Sequence, residues 1–156
     1  MTWSLTMCPD YILNGICSPL EEPKARMYSP LTLAFLGDAV YSLLVRNMLS
    51  MQENKPAGKL HKESVKYVNA AFQAQMIKEL LPSLTENETA VFKRGRNAHS
   101  GHSPKNQEAG DYRYATGLET LYGYLYLCGE SQRIKEIFQM STYKSFINET
   151  NRKETE

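Results

Sequence analysis

Residues 29–51 read SPLTLAFLGDAVYSLLVRNMLSM, apolar or small at nearly every position. Ser29 can cap a helix and Pro30 suits its first position, so the pattern predicts a central, buried helix. Asp38 and Arg46 interrupt it, which rules out the ~20 uncharged apolar residues of a membrane span. Lys55-Pro56 opens a second predicted helix. In it Ala57, Leu60, Ser64, Val65, Val68, Ala71, Phe72 and Met76 recur at spacings of three and four, with Lys59, Lys62 and Lys66 opposite. Pro82 closes this helix, and Thr85 with Glu88 has the spacing of a capping box for a third, TENETAVFKRGRNA. The polar stretch HSGHSPKNQEAG reads as a loop. Asp111 is placed to cap a fourth long helix through Leu127, with Gly129 past its end, and residues 131–147 form an amphipathic last helix. Residues 1–27, with three prolines and little periodicity, read as an irregular arm. Residues 28–148 form the single domain and residues 149–156 a frayed tail. No strand pattern appears, so the expected class is all-α, a helical bundle.

Composition narrows the function classes. The chain has 156 residues, enough for one real core, and 18 basic against 17 acidic residues give a net charge of +1. A polyanionic partner therefore has to be met by a local patch. Cys8, Cys17 and Cys128 are odd in number and form no C-x-x-C pair, which fits free thiols in a reducing, cytoplasmic setting. The amino terminus lacks the basic and apolar regions of a secretion signal.

Two carboxylates stand out against this background. On a helix, Asp38 shares its side with Leu31, Ala34, Phe35, Tyr41, Ser42 and Val45. Glu119 is likewise the one internal carboxylate of DYRYATGLETLYGYLYL, among Tyr112, Ala115, Thr116, Tyr122, Gly123 and Tyr126. A lone ionised carboxylate in such surroundings costs several kcal/mol, of order 3–5, unless a partner or cation compensates it. One reading gives Asp38 an ordinary partner in Arg46 or a tyrosine hydroxyl and turns Glu119 to solvent. The other brings both to one helix seam, where Mg²⁺ relieves their repulsion and picks up phosphate oxygens. Lys93, Arg94, Arg96, Lys105 and Arg113 outnumber Glu108 and Asp111 around the loop, and Asn97 adds a hydrogen-bond donor. Read functionally, this is an anion site for phosphate or sugar oxygens, with Lys62 in a second basic stripe. Read blandly, it is a solvated surface.

The blocks LAFLGDAVYSLLVRNML, LHKESVKYVNAAFQAQ, VFKRGRNAHSGHSPKN and YRYATGLETLYGYLYL, in this order, resemble the catalytic domain of the ribonuclease III family. The resemblance is to its short bacterial branch, Mini-ribonuclease III, which lacks a double-stranded-RNA-binding domain. It covers roughly residues 28 to 140 and implies an α-helical, two-fold homodimer that cleaves double-stranded RNA with Mg²⁺, leaving 5′-phosphate ends. It also implies processing of the 5′ and 3′ ends of the 23S rRNA precursor, and leaves open a ribosomal protein presenting that substrate. Carried over by position, Asp38 is the catalytic aspartate and Glu119 the metal-binding glutamate. Full-length ribonuclease III has further acids four residues before the first and three before the second. Here those positions hold Ala34 and Thr116. The rival from another class is a non-catalytic helical RNA-binding module in which Asp38 and Glu119 are structural.

Overall fold

In the computed structural model, residues 19–98 and 107–155 are described, and every regular element among them is helical. The arm is not wholly irregular. Residues Glu22–Arg26 form a short helix, α1, with a proline in its first turn, Glu22 and Arg26 paired at 2.6 Å and Ala25 fully buried. The rest of the expected arm, residues 1–18, lies outside the described residues.

Helix α2, Pro30–Gln52, starts as the sequence predicts, with Ser29 at the cap position and Pro30 in the first turn. It is buried on one side only. Leu33, Ala34, Gly37, Val40, Tyr41, Val45, Met48 and Leu49 face the core, whereas Phe35 is 83% and Leu43 49% exposed. The long second helix of the sequence reading is two, α3 (Ala57–Val68) and α4 (Ala70–Leu80). Asn69 divides them in an extended conformation. Its amide donates to the carbonyls of Val65 and Lys66 at 3.0 and 2.9 Å, and its oxygen accepts from the Phe72 N–H at 2.9 Å. One side chain thus closes the first helix and caps the second, which is how asparagine competes with a continuous helix. The register shifts at the break. Ser64 and Tyr67 are buried before it and Gln73, Ala74, Met76, Ile77 and Leu80 after it, while Val65 and Ala71 are exposed.

Helix α5, Glu86–Asn97, opens with the predicted capping box: the Thr85 hydroxyl accepts from the Glu88 N–H at 3.1 Å, and the Glu88 carboxylate accepts from the Thr85 N–H at 2.9 Å. Arg133 grips the same carboxylate through both oxygens, at 2.7 and 2.9 Å. Burial alone would raise the Glu88 pKa, but the Arg133 and Thr85 hydrogen bonds outweigh it and hold the carboxyl below its usual range.

Helix α6, Gln107–Leu127, is the hub, packed against α2, α4 and α5. It begins before Asp111, so Asp111 lies within the helix and does not cap it. At its end Gly129 has φ +72°, and the N–H groups of Gly129 and Glu130 return to the carbonyls of Tyr126 and Leu125. This left-handed ending is one that glycine adopts without steric cost.

The last predicted helix is α7 (Ser131–Phe138) and α8 (Lys144–Glu154), joined by a π-helical turn at Gln139–Tyr143. Ser141 and Thr142 are buried in that turn, with the Ser141 hydroxyl bonded to the Ile137 carbonyl at 2.7 Å and the Thr142 hydroxyl 3.0 Å from the Tyr41 oxygen. The helix then continues through Glu154, past the point where the tail was expected to fray, with Phe146 buried and Thr150 bonded to its carbonyl at 3.0 Å. Among the described residues no helix is long and apolar enough to cross a membrane.

Glycines let the central helices touch. A β-carbon on Gly37 of α2 would stand 2.6 Å from the Glu119 carbonyl carbon and 2.8 Å from the Gly123 nitrogen, closer than real atoms approach. On Gly95 of α5 it would meet Thr120 of α6 at 2.5 Å, and on Gly117 the Phe92 ring at 2.5 Å. Neither α2 nor α5 could lie so close to α6 with any other residue at these positions.

Candidate active site

The contact between α2 and α6 places Asp38 and Glu119 on one seam. Glu119 is half-buried, and its carboxyl is pushed up to about 7, first by burial and then by the charge of Asp38. A hydrogen bond from Gln73 of α4 works in the opposite direction. Glu119 therefore senses the charge of Asp38 across the seam. Asp38 itself is exposed, contrary to the burial expected from its apolar neighbours. Those neighbours explain the difference: Ala34, Tyr41 and Val45 point inward, but Leu31 and Phe35 lie on the open side of α2, with Asp38 at the border. The Ser42 hydroxyl donates to it at 3.5 Å, and among the described residues no basic side chain, Arg46 included, forms an ion pair with it.

Ala34 and Thr116, where larger relatives of the resembled family carry acids, are buried, and the Thr116 hydroxyl is engaged by the Tyr112 carbonyl at 2.9 Å. Among the described residues no three His, Cys, Asp or Glu side chains converge as a ready-made metal cage. The core next to Glu119 is aromatic. Tyr41 and Tyr122 are fully buried with ring centres 5.5 Å apart, and burial pushes both hydroxyls well up, so both stay neutral.

The basic residues singled out in the sequence occupy several surfaces. Lys93, Arg94 and Asn97 are exposed on α5, Arg113 is exposed on α6 and Lys62 on α3, while Lys105 lies outside the described residues. Arg94 donates to the carbonyls of Arg26 and Tyr28 at 3.0 and 2.9 Å, pinning the segment that leads into α2. Arg96 is half-buried, bonded to the Asn97 side chain at 3.1 Å and set 5.6 Å from the Phe92 and 5.8 Å from the Tyr114 ring centre. Lys78 approaches that Tyr114 ring at 4.9 Å and pairs with Asp111 at 3.8 Å, a cation the sequence reading passed over. Gln73 and the glycines at the helix crossing were passed over too. The signal for Gln73 was available: it is the one polar residue in the buried 73, 76/77, 80 stripe of α4.

The Ribonuclease III domain family matches residues 31–130, which spans the whole α2–α6 core. The Mini-ribonuclease 3 of Thermoanaerobacter sp. (strain X514) is 52% identical over 113 residues, covering 72% of this chain and 80% of that protein. The Mini-ribonuclease 3 of Brevibacillus brevis is 50% identical over 113 residues, covering 72% of this chain and 84% of that protein. This chain belongs to the ribonuclease III family, in its Mini-ribonuclease III branch. An X-ray crystal structure of a Fusobacterium nucleatum protein superposes with a TM-score of 0.66 at 33% identity, covering 74% of this chain and 92% of that one. The all-α fold is therefore the ribonuclease III fold, and the chain is a ribonuclease III-type endoribonuclease, not the non-catalytic module weighed as the rival.

Proposed function

We propose that this Mini-ribonuclease III is a Mg²⁺-dependent endonuclease of double-stranded RNA, that Asp38 and Glu119 hold the metal, and that it trims both ends of the 23S rRNA precursor as a homodimer. The observation that carries the metal assignment is the Glu119 carboxyl, lifted to about 7 beside Asp38 with no basic side chain paired to either among the described residues. Two oxygen-donor side chains that repel each other suit a hard divalent cation, and only two of them leaves room for water and phosphate as further ligands. A bound Mg²⁺ supplies a Lewis acid for the phosphoryl oxygens and makes water more acidic.

The protein's own contribution is placement. Asp38 is exposed and accessible to a duplex, and Glu119 behind it is held by the helix crossing and by Gln73. Lys93, Arg96, Asn97, Lys105 and Arg113, with Lys62, supply phosphate and sugar contacts that follow the shape of the duplex rather than its sequence. Exposed Phe35, one helical turn from Asp38, suits a two-fold partner, which would present two sites to the two strands.

Incubation of the purified protein with a long RNA duplex tests this. Cleavage to 5′-phosphate ends is expected with Mg²⁺, none with EDTA, and none from Asp38→Asn or Glu119→Gln. A precursor carrying the 5′ and 3′ ends of the 23S rRNA should be cut in preference to an unrelated duplex. Undiminished cleavage by Asp38→Asn would overturn the site assignment, and equal cleavage of both duplexes the rRNA assignment.

A further inference from the structure

Gln73 is 2% exposed on α4, and its side-chain amide points at the site. The amide nitrogen donates to Glu119 Oε1 at 3.3 Å and to the Val68 carbonyl at 3.0 Å, while the amide oxygen is buried with no hydrogen-bond partner among the described residues. Two acceptors on one end fix which way the amide faces, because the flipped amide would set oxygen against oxygen. A buried acceptor without a donor is unfavourable for folding. Leucine or methionine would fill the same space in the apolar stripe formed with Met76, Ile77 and Leu80 without that penalty. Glutamine here works against stability, and what it provides in return is a fixed donor to one oxygen of Glu119.

We propose that Gln73 is a positioning residue: it holds Oε1 of Glu119 and thereby turns the other carboxylate oxygen toward the seam shared with Asp38, ready for a divalent cation. This deepens the reading above and rests on Asp38 and Glu119 being the metal ligands. A donor of this kind acts through the ligand's orientation, and losing one typically weakens metal affinity 10- to 100-fold.

The test uses the full chain with Gln73→Leu and Gln73→Met. Both are expected to stay folded, with thermal midpoints within about 4 °C of wild type. Mn²⁺ affinity, read by electron paramagnetic resonance without RNA, should fall by about 10- to 100-fold, and the Mg²⁺ midpoint for duplex cleavage should rise by a similar factor. A folded variant with wild-type Mn²⁺ affinity and an unchanged Mg²⁺ midpoint overturns the proposal. Unfolding of both variants also overturns it, since the amide would then be serving the α3–α4 junction through Val68. If wild type cuts no duplex under Mg²⁺, the nuclease reading falls by itself, and the Mn²⁺ affinities still decide the role of Gln73.

Discussion

Gly37 and Glu119 touch through their backbones: a β-carbon on Gly37 would stand 2.6 Å from the Glu119 carbonyl carbon. Asp38 follows Gly37 directly, so the missing side chain lets α2 approach α6 at the very point where Asp38 and Glu119 sit. Gly37→Ala has to push α2 from α6, because a backbone carbonyl inside a helix cannot move aside as a flexible side chain can. The expected cost is about 3 kcal/mol, at the upper end for overpacking. Cleavage should fall by about 10²-fold even where the variant is folded, since small misplacements of reacting groups are that costly. Gly58→Ala is the control, with nothing within 4 Å of the added carbon. Urea denaturation and single-turnover cleavage of both variants check this, and a Gly37→Ala enzyme of wild-type rate would refute it.

The raised carboxyl of Glu119 makes a prediction about pH. Its folded value of about 7 lies above the ordinary 4.5, through burial and the charge of Asp38. Between those values the folded state binds more protons than the unfolded state, so stability falls as pH rises from about 4.5 through about 7. For a group only partly shielded from water the loss should be about 2 kcal/mol by pH 8. In metal-free protein, Glu119→Gln should abolish this loss and be the more stable form at pH 8. Mg²⁺ should stabilise wild type more at pH 8 than at pH 6 and leave Glu119→Gln nearly unaffected. Parallel stability profiles for the two proteins in EDTA would contradict the prediction.

The basic residues should separate by what they touch. Lys93 is exposed on α5, so Lys93→Ala is expected to lower the slope of log affinity against log salt by about one for a duplex, with no change in stability. Arg94 also pins the Arg26 and Tyr28 carbonyls, and Arg94→Ala should additionally cost about 1 kcal/mol of stability. Arg96 lies over the Phe92 and Tyr114 rings, so Arg96→Lys, which keeps the charge but loses the guanidinium that these rings and Asn97 hold in place, should weaken binding despite conserving charge. Filter binding across a salt series with Ca²⁺ in place of Mg²⁺, beside thermal melts, measures each effect. An unchanged slope for Lys93→Ala would return that face to ordinary solvated surface.

Much of this architecture could be read from local chemistry. Pro30 in the first turn of α2, the Thr85–Glu88 box and Gly129 with its positive φ each depend on a few neighbouring residues, and each stands where the pattern put it. The break at Asn69 was missed because one amide that satisfies both helix ends leaves the apolar spacing on either side almost intact. The π-turn at 139–143 was missed because it answers to the buried Tyr41 hydroxyl from a distant helix. At the site, Asp38 and Glu119 stood out as charges in apolar runs. Gln73 did not, because a neutral amide breaks the pattern less and its meaning depends on facing Glu119 across 46 positions. Asp38 was expected to be buried because an apolar face on a helix was taken for a core face. On α2 the face with Leu31 and Phe35 is apolar and exposed.

That exposed face leads to a prediction about assembly. Leu31 and Phe35 stand one turn apart on the open side of α2, Leu43 is exposed eight residues further on, Phe35 is 83% exposed, and Met27 just before the helix is 86% exposed. Exposed large apolar residues gathered on one helix of a small domain mark an interaction surface. If the partner is a second copy, the interface is isologous and every substitution in it counts twice. Burying one phenylalanine side chain contributes about 1.5–3 kcal/mol. Removing two per dimer in Phe35→Asp should therefore weaken association by about 3–6 kcal/mol, or roughly 10²- to 10⁴-fold. The monomer's own fold should be unaffected, since Phe35 contributes little to its core. Sedimentation equilibrium should give wild type twice the 17.8 kDa chain mass and Phe35→Asp the chain mass, with matching circular dichroism. Because Asp38 lies one helical turn from Phe35, Asp38 would stand at the rim of that interface, and double-strand cleavage should fall together with dimerisation. A Phe35→Asp protein that remains a dimer would place the interface on another face.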